Sequence, residues 1–239
     1  MAVSIVPLDS KKHKDLHVKV DPHYSHISAS NMVPVVAFEF LSVSGDYPIV
    51  FVKQQDTGKF KSVALMGLEE GENLYFEGGA IHADYIPINV RRYPFVAGGN
   101  SATDDNLVLC IDENSQLLND EEGVAVFNED GTPSEATQRV SDLLVDLMAK
   151  DVATDQFIDY LVEQDLLHAT ELTLKLGEDG ERKLNGIYKV NEEKLNELSD
   201  EAALELYKRK YFGAIYAHLG SLSKINRVLQ LKAKFKHAK

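Results

Sequence analysis

The amino-acid sequence predicts an α+β fold, and three observations predict it. Residues 31–131 are rich in β-branched and aromatic residues broken by turn formers, whereas from residue 132 onward apolar positions recur at helical spacing. Late in the chain, two alternating segments read as one hairpin inside the helical part. Strands grouped ahead of helices, rather than alternating with them, mark α+β architecture. On this reading residues 1–30 form an extended arm, 31–131 a β-rich half and 132–239 a mainly helical half, all in one compact unit.

The arm mixes charges and His13, His17, His23 and His26 with few periodic apolar positions. Val33 to Leu41 reads as a strand, Ser44-Gly45-Asp46 as a turn and Tyr47 to Val52 as the next strand. Pro48-Ile49-Val50-Phe51-Val52 is apolar on both faces, which suits a central buried strand. Asp56-Thr57-Gly58 follows at hairpin distance, and Phe60 to Met66 supplies the return strand. A further strand is expected over Asn73 to Phe76. There Glu72-Asn73-Leu74-Tyr75-Phe76-Glu77-Gly78 resembles a tobacco-virus protease site, but it is internal and carries Glu77 in place of glutamine, so it reads as native sequence. Pro87 and Pro94 exclude a long helix between them, because each lacks an amide donor and biases its predecessor to extended geometry. After a Gly98-Gly99-Asn100 loop, Leu107 to Ile111 and Val124 to Phe127 complete a meander.

The helical half opens on a capping signature, with Thr132 as cap, Pro133 at the first helical position and Glu135 closing a capping box. Val140, Leu143, Leu144, Leu147 and Met148 follow on one face, and a second helix is expected from Thr154 to about Leu167. Leu172-Leu174-Leu176, the turn Gly177-Glu178-Asp179-Gly180 and Leu184 to Val190 form the hairpin. Two or three helices finish the chain, the last with Phe212, Ile215, Tyr216, Leu219, Leu222, Ile225 and Leu229 on one stripe.

Composition removes several function classes. A chain of 239 residues with 44% hydrophobic residues buries roughly 70% of the surface its unfolded form exposes, so its core needs no staple. One cysteine, Cys110, excludes a disulfide scaffold and lies in the apolar run Val108-Leu109-Cys110-Ile111, where a buried, unactivated thiol is expected. No window approaches ~18 consecutive apolar residues, so no membrane-spanning helix is expected. No sustained apolar run follows the lysines near the start, so no secretory signal is expected and the protein reads as cytoplasmic.

Charge is segregated. The net charge of −13 contains a stretch, 101–165, with 17 acidic against two basic residues, giving −15. From Tyr207 to Lys239 there are nine Lys and Arg and no acid. Such poles steer a partner, or they complement each other within one fold. Lys208, Arg209, Lys210, Lys224 and Arg227 are the docking candidates of this basic tail. Overall acidity argues against nucleic acid as the partner, and Phe212 and Tyr216 fall on the expected apolar stripe.

Two further constellations stand out. Arg91 and Arg92, between Tyr85, Tyr93 and Phe95, have the chemistry to hold a carboxylate or phosphate and stack a ring. Equally, one arginine can pack its stem on Tyr93 and pair with the acidic middle. His82-Ala83-Asp84 has the spacing of two ligands of a non-haem iron site, with His168 or His218 as a distant third, against a polar strand end as the plainer reading. The carboxylates Asp142, Asp146, Asp155 and Asp159 form i, i+4 pairs of like charge and mark a solvated face. No nucleophile elbow, phosphate loop or dinucleotide fingerprint is present, and no cofactor is expected.

The order of Tyr47-Pro48-Ile49-Val50-Phe51, Ala64-Leu65-Met66-Gly67-Leu68, Glu72-Asn73-Leu74, Tyr85-Ile86-Pro87, Arg91-Arg92-Tyr93-Pro94-Phe95, Phe127 with Asp130-Gly131, and Leu184-Asn185-Gly186-Ile187-Tyr188 resembles the SapC family of bacterial proteins. The similarity runs from about Pro34 to Val228. A permease subunit and a lysosomal saposin that share the name are excluded by their membrane helices and six cysteines. The family is named for a surface-layer locus and brings no catalytic residue set. The resemblance implies gene neighbours that encode tryptophan-halogenase-like flavoproteins, cupin-like proteins and outer-membrane receptors, and with them an accessory protein whose expected partner is a halogenase-like flavoprotein. An iron-dependent oxygenase using His82 and Asp84 and a surface-layer-associated protein are the alternatives.

Overall fold

The computed structural model describes residues 3–98, 108–175 and 181–237. In chain order its elements are β1 (Ile5–Pro7), β2 (His17–Val18), β3 (Met32–Pro34), α1 (Phe40–Val43), β4 (Ile49–Lys53), β5 (Phe60–Leu65), β6 (Phe76–Glu77), β7 (Ala80–Ile81), α2 (Ile88–Arg91), β8 (Phe95–Gly98), β9 (Val108–Asp112), β10 (Leu118–Asn119) and β11 (Val124–Ala125). Then come α3 (Glu135–Glu163), β12 (Leu167–Lys175), β13 (Glu181–Val190), α4 (Glu192–Asn196), α5 (Asp200–Lys208), α6 (Phe212–Ser221) and α7 (Ile225–His237). The fold is α+β with antiparallel sheets. Contacts divide the chain into Met1–Tyr24 with Ile88–Val152, and Ser25–Pro87 with Ala153–Lys239. This grouping interleaves segments that composition places in sequential halves.

In the second of these units, a five-stranded sheet has the order β12-β13-β4-β5-β3. β4 is its central strand, as the two-faced apolar run predicts, and Ile49, Val50 and Phe51 are buried. The β4–β5 hairpin turns at Gly58, whose φ of 68° is open to glycine at no steric cost. The late hairpin forms as expected, and through β13 it joins β4 rather than standing apart; its turn, 176–180, lies outside the described residues. Phe40 meets Phe51 and Phe157 edge to face, with ring centroids 6.5 and 6.2 Å away.

Several expectations need correction. The strand expected over Val33 to Leu41 ends at Pro34, and a helical turn leads into α1. The cause is Glu39, buried there, whose Oε1 accepts the Val36 N–H at 3.1 Å. The strand expected over Asn73 to Phe76 shortens to β6, which pairs with β7 through Gly78 and Gly79 at φ of 62° and 87°, the left-handed pair a two-residue hairpin requires. Leu74 and Tyr75 in the protease-like heptad are core residues, in keeping with native sequence.

In the other unit, β1-β9-β8 and β10-β2-β11 form two three-stranded sheets. The arm is therefore strand-forming at both β1 and β2. The Gly98-Gly99-Asn100 loop beyond Gly98 and Leu107 lie outside the described residues. α3 is one 29-residue helix where two were expected. Ala149-Lys150-Asp151-Val152-Ala153 contains neither glycine nor proline, so nothing interrupts it. Its cap is Ser134, whose Oγ accepts the Thr137 N–H at 3.3 Å. Thr132 is held outside the helix, donating its N–H and hydroxyl to Asp130 Oδ1 at 2.9 and 2.6 Å. The terminal stripe also divides, into α6, a 3₁₀ turn at Leu222–Lys224 and α7, and Tyr216 faces solvent instead of the core.

Candidate functional site

In the unit containing β2, β10 and β11 the described residues line a half-open apolar cavity of about 150 Å³, bordered by Val18, Val20, Phe95, Val124, Ala136 and Val140, among others. Strand β2 pairs on both sides, Val18 facing Leu118 and Val124. The return between β10 and β11 is ordered by Asn119, whose Oδ1 accepts the Glu121 N–H at 2.9 Å and whose Nδ2 donates to the Glu122 carbonyl at 2.7 Å. Gly123, at φ of 105°, lets this return close, because a Cβ there would lie 2.2 Å from the Val18 carbonyl oxygen. Thr137 lines the cavity too, but its hydroxyl donates to the Val126 carbonyl at 2.7 Å. Lys19 contributes its stem, while its ammonium pairs with Glu122 at 2.7 Å.

The arginine and aromatic set is distributed. Phe95 is buried and lines the cavity. Arg92 donates through Nε to Asn89 Oδ1 at 2.9 Å and through Nη1 to the Phe95 carbonyl at 2.7 Å, so it holds its own turn, and burial lowers its pKa. The Tyr93 hydroxyl donates to Asp112 Oδ2 at 3.1 Å. Asp112 is buried and its Oδ1 also accepts the Ser4 N–H at 2.9 Å, which ties the arm to β9. Arg91 is exposed at the end of α2. Tyr85 belongs to the other unit, where its hydroxyl donates to Glu39 Oε2 at 2.9 Å.

His82-Ala83-Asp84 wraps a buried carboxylate. The Asp84 and Tyr85 N–H groups donate to Asp46 Oδ2 at 3.0 and 2.8 Å, and Arg227 Nη1 donates to Asp46 Oδ1 at 3.0 Å. His82 Nε2 lies 3.0 Å from the Glu77 carbonyl oxygen. His218 is fully buried between the Ile49 carbonyl and the Val190 N–H, at 2.9 and 3.1 Å. Among the described residues no three His, Cys, Asp or Glu side chains gather to hold a metal. Cys110 is buried, and burial pushes its thiol pKa up, the opposite of an activated nucleophile.

The basic tail divides into inward and outward cations. Arg227, besides pairing with Asp46, stands over the Tyr75 ring at 5.2 Å from its centroid. Lys232 is drawn into an ion pair with Glu72 and lies 3.1 Å from Glu69. These acids lie outside the 101–165 stretch. Of the four acids read as a solvated helix face, Asp155 instead pairs with Lys61 at 2.6 Å. Arg209 pairs with Glu205 at 2.7 Å and lies over the Tyr160 ring. Lys208 and Lys210 face solvent, and Lys224 is half-buried. Tyr207 and Tyr216 are 72% and 56% exposed, and Phe212 stacks on Tyr216 with centroids 6.1 Å apart.

In class this is an α+β protein, and no helix among the described residues is long and apolar enough to cross a membrane. The SapC family model matches residues 8–228, and the chain belongs to that family. The match begins well before Pro34, taking in most of the arm that the sequence signposts leave out. No curated protein and no solved structure matches the chain.

Local sequence does not reveal the cavity. Val18 and Val20 sit in a segment with little periodicity, and only the pairing of β2 with strands a hundred residues away assembles the lining. The weak signal was the alternation His17, Val18, Lys19, Val20.

Proposed function

We propose that this chain is a non-catalytic binding or accessory protein that grips another protein through the corner where α5 meets α6. The observation that carries this reading is that Tyr207 and Tyr216, Lys208 and Lys210 are all exposed, in a segment, 207–239, that contains no acid. Tyrosine supplies large contact area at small conformational cost, and flanking lysines attract an acidic surface. The partner class that the family resemblance names is a tryptophan-halogenase-like flavoenzyme, and the complex is expected to form in the cytoplasm.

The test is a titration of such a flavoenzyme with the wild-type chain and with the double variant Lys208→Glu, Lys210→Glu. Charge reversal is expected to weaken binding at least tenfold, as is Tyr216→Ala, with thermal midpoints unchanged because these side chains face solvent. Equal affinity for all three proteins would reject this corner as the docking surface.

A further inference from the structure

We propose that the cavity beside β2 is a binding site for a medium-chain carboxylate, with a tail of about five carbons against the apolar lining and the carboxylate on Lys19 at the rim. Three observations meet here. The cavity of about 150 Å³ matches the size of an engineered apolar cavity that takes up benzene, a six-carbon molecule. Its lining is carbon from valine, alanine and phenylalanine, and the one hydroxyl, on Thr137, already donates to the Val126 carbonyl at 2.7 Å. An interior of this kind rejects a polar head and rewards a saturated tail.

Among the residues lining it, Lys19 is the single charged one. Its stem runs along the cavity, and its ammonium reaches Glu122, at 2.7 Å, on the exposed return between β10 and β11. An ion pair as solvent-exposed as this one holds weakly, so an incoming carboxylate can take the place of Glu122 on the same ammonium. Val20, 76% exposed, extends the apolar surface outward. The ligand is therefore amphipathic, with its anionic end at the solvent boundary. No bond is made or broken, and the site is separate from the protein-docking corner.

The experiment is a titration of the full chain with butanoate, hexanoate and dodecanoate, followed through methyl resonances of Val18, Val124 and Val140. Hexanoate is expected to shift these three selectively and to bind at least tenfold more tightly than butanoate, with dodecanoate weaker for want of room. Lys19→Met keeps the stem and removes the charge; it is expected to lose about tenfold for hexanoate while hexanol binds as before. Val140→Phe fills the cavity and is expected to abolish binding, with Ala136→Val as a milder filling variant should the first misfold. Absence of hexanoate-dependent shifts in the folded protein overturns the proposal, as do shifts spread over the surface or binding that survives both filling variants.

Discussion

At the scale of single residues, His218 joins the ends of two strands. Its Nε2 accepts the Val190 N–H and its Nδ1 faces the Ile49 carbonyl, so the neutral tautomer with the proton on Nδ1 satisfies both contacts. A second proton would set two N–H groups against each other. Burial, outweighing the hydrogen bond to Ile49, lowers the pKa from 6.5 to about 4. Because the folded value is the lower one, the unfolded chain takes up the proton first. The stabilisation is complete above pH 6.5 and is lost as pH falls toward 4, amounting to about 3 kcal/mol. Urea unfolding of the wild type and of His218→Gln across this range is expected to show the stability difference between them shrinking on acidification; a difference independent of pH contradicts the bridging role. The sequence alone offers His218 only as a distant candidate metal ligand. Nothing near it in the chain names Ile49 or Val190, since both partners lie on other elements.

At the scale of elements, α7 is fastened by inward-facing cations. Lys232 has a side chain 8% exposed and pairs with both Glu69 and Glu72. Burial alone would lower its pKa, but the hydrogen bonds to Glu72 and Glu69 prevail and raise it. Glu72 Oε2 in addition accepts the Leu68 N–H at 2.9 Å, so the pair fixes the turn before β6. Removing one partner of such a pair strands the other charge. Lys232→Ala is expected to lower the unfolding free energy by about 2–3 kcal/mol, and a denaturant midpoint equal to the wild type would show that α7 is held by apolar contacts alone. Helices were legible as helices, because Leu144, Leu147, Phe157 and Leu161 keep their spacing and are buried. Their ends were less so. The capping box at Thr132 and Glu135 satisfies the sequence rule, yet Asp130 captures Thr132 first and Ser134 becomes the cap. A local hydrogen bond, weighed in three dimensions, won over a sequence pattern of equal quality.

At the scale of the whole molecule, the central strand, both long hairpins and the α+β class follow from apolar patterning, which acts over a few residues. Contact grouping does not, because Met1–Tyr24 counts with Ile88–Val152 and the chain returns to earlier strands through β13. Charge segregation was legible as a total and only partly in its use. Arg227 and Lys232 serve the fold, whereas Lys208 and Lys210 face outward. If the outward cations steer a partner, association should depend on screening more than dissociation does. The most direct measurement is the association rate of the chain with the proposed flavoenzyme partner, by stopped flow, from roughly 20 mM to roughly 500 mM salt. The rate is expected to fall at least tenfold for the wild type and to change little for Lys208→Glu, Lys210→Glu. A wild-type rate that is flat across this range, or a double variant as salt-sensitive as the wild type, contradicts docking through this corner.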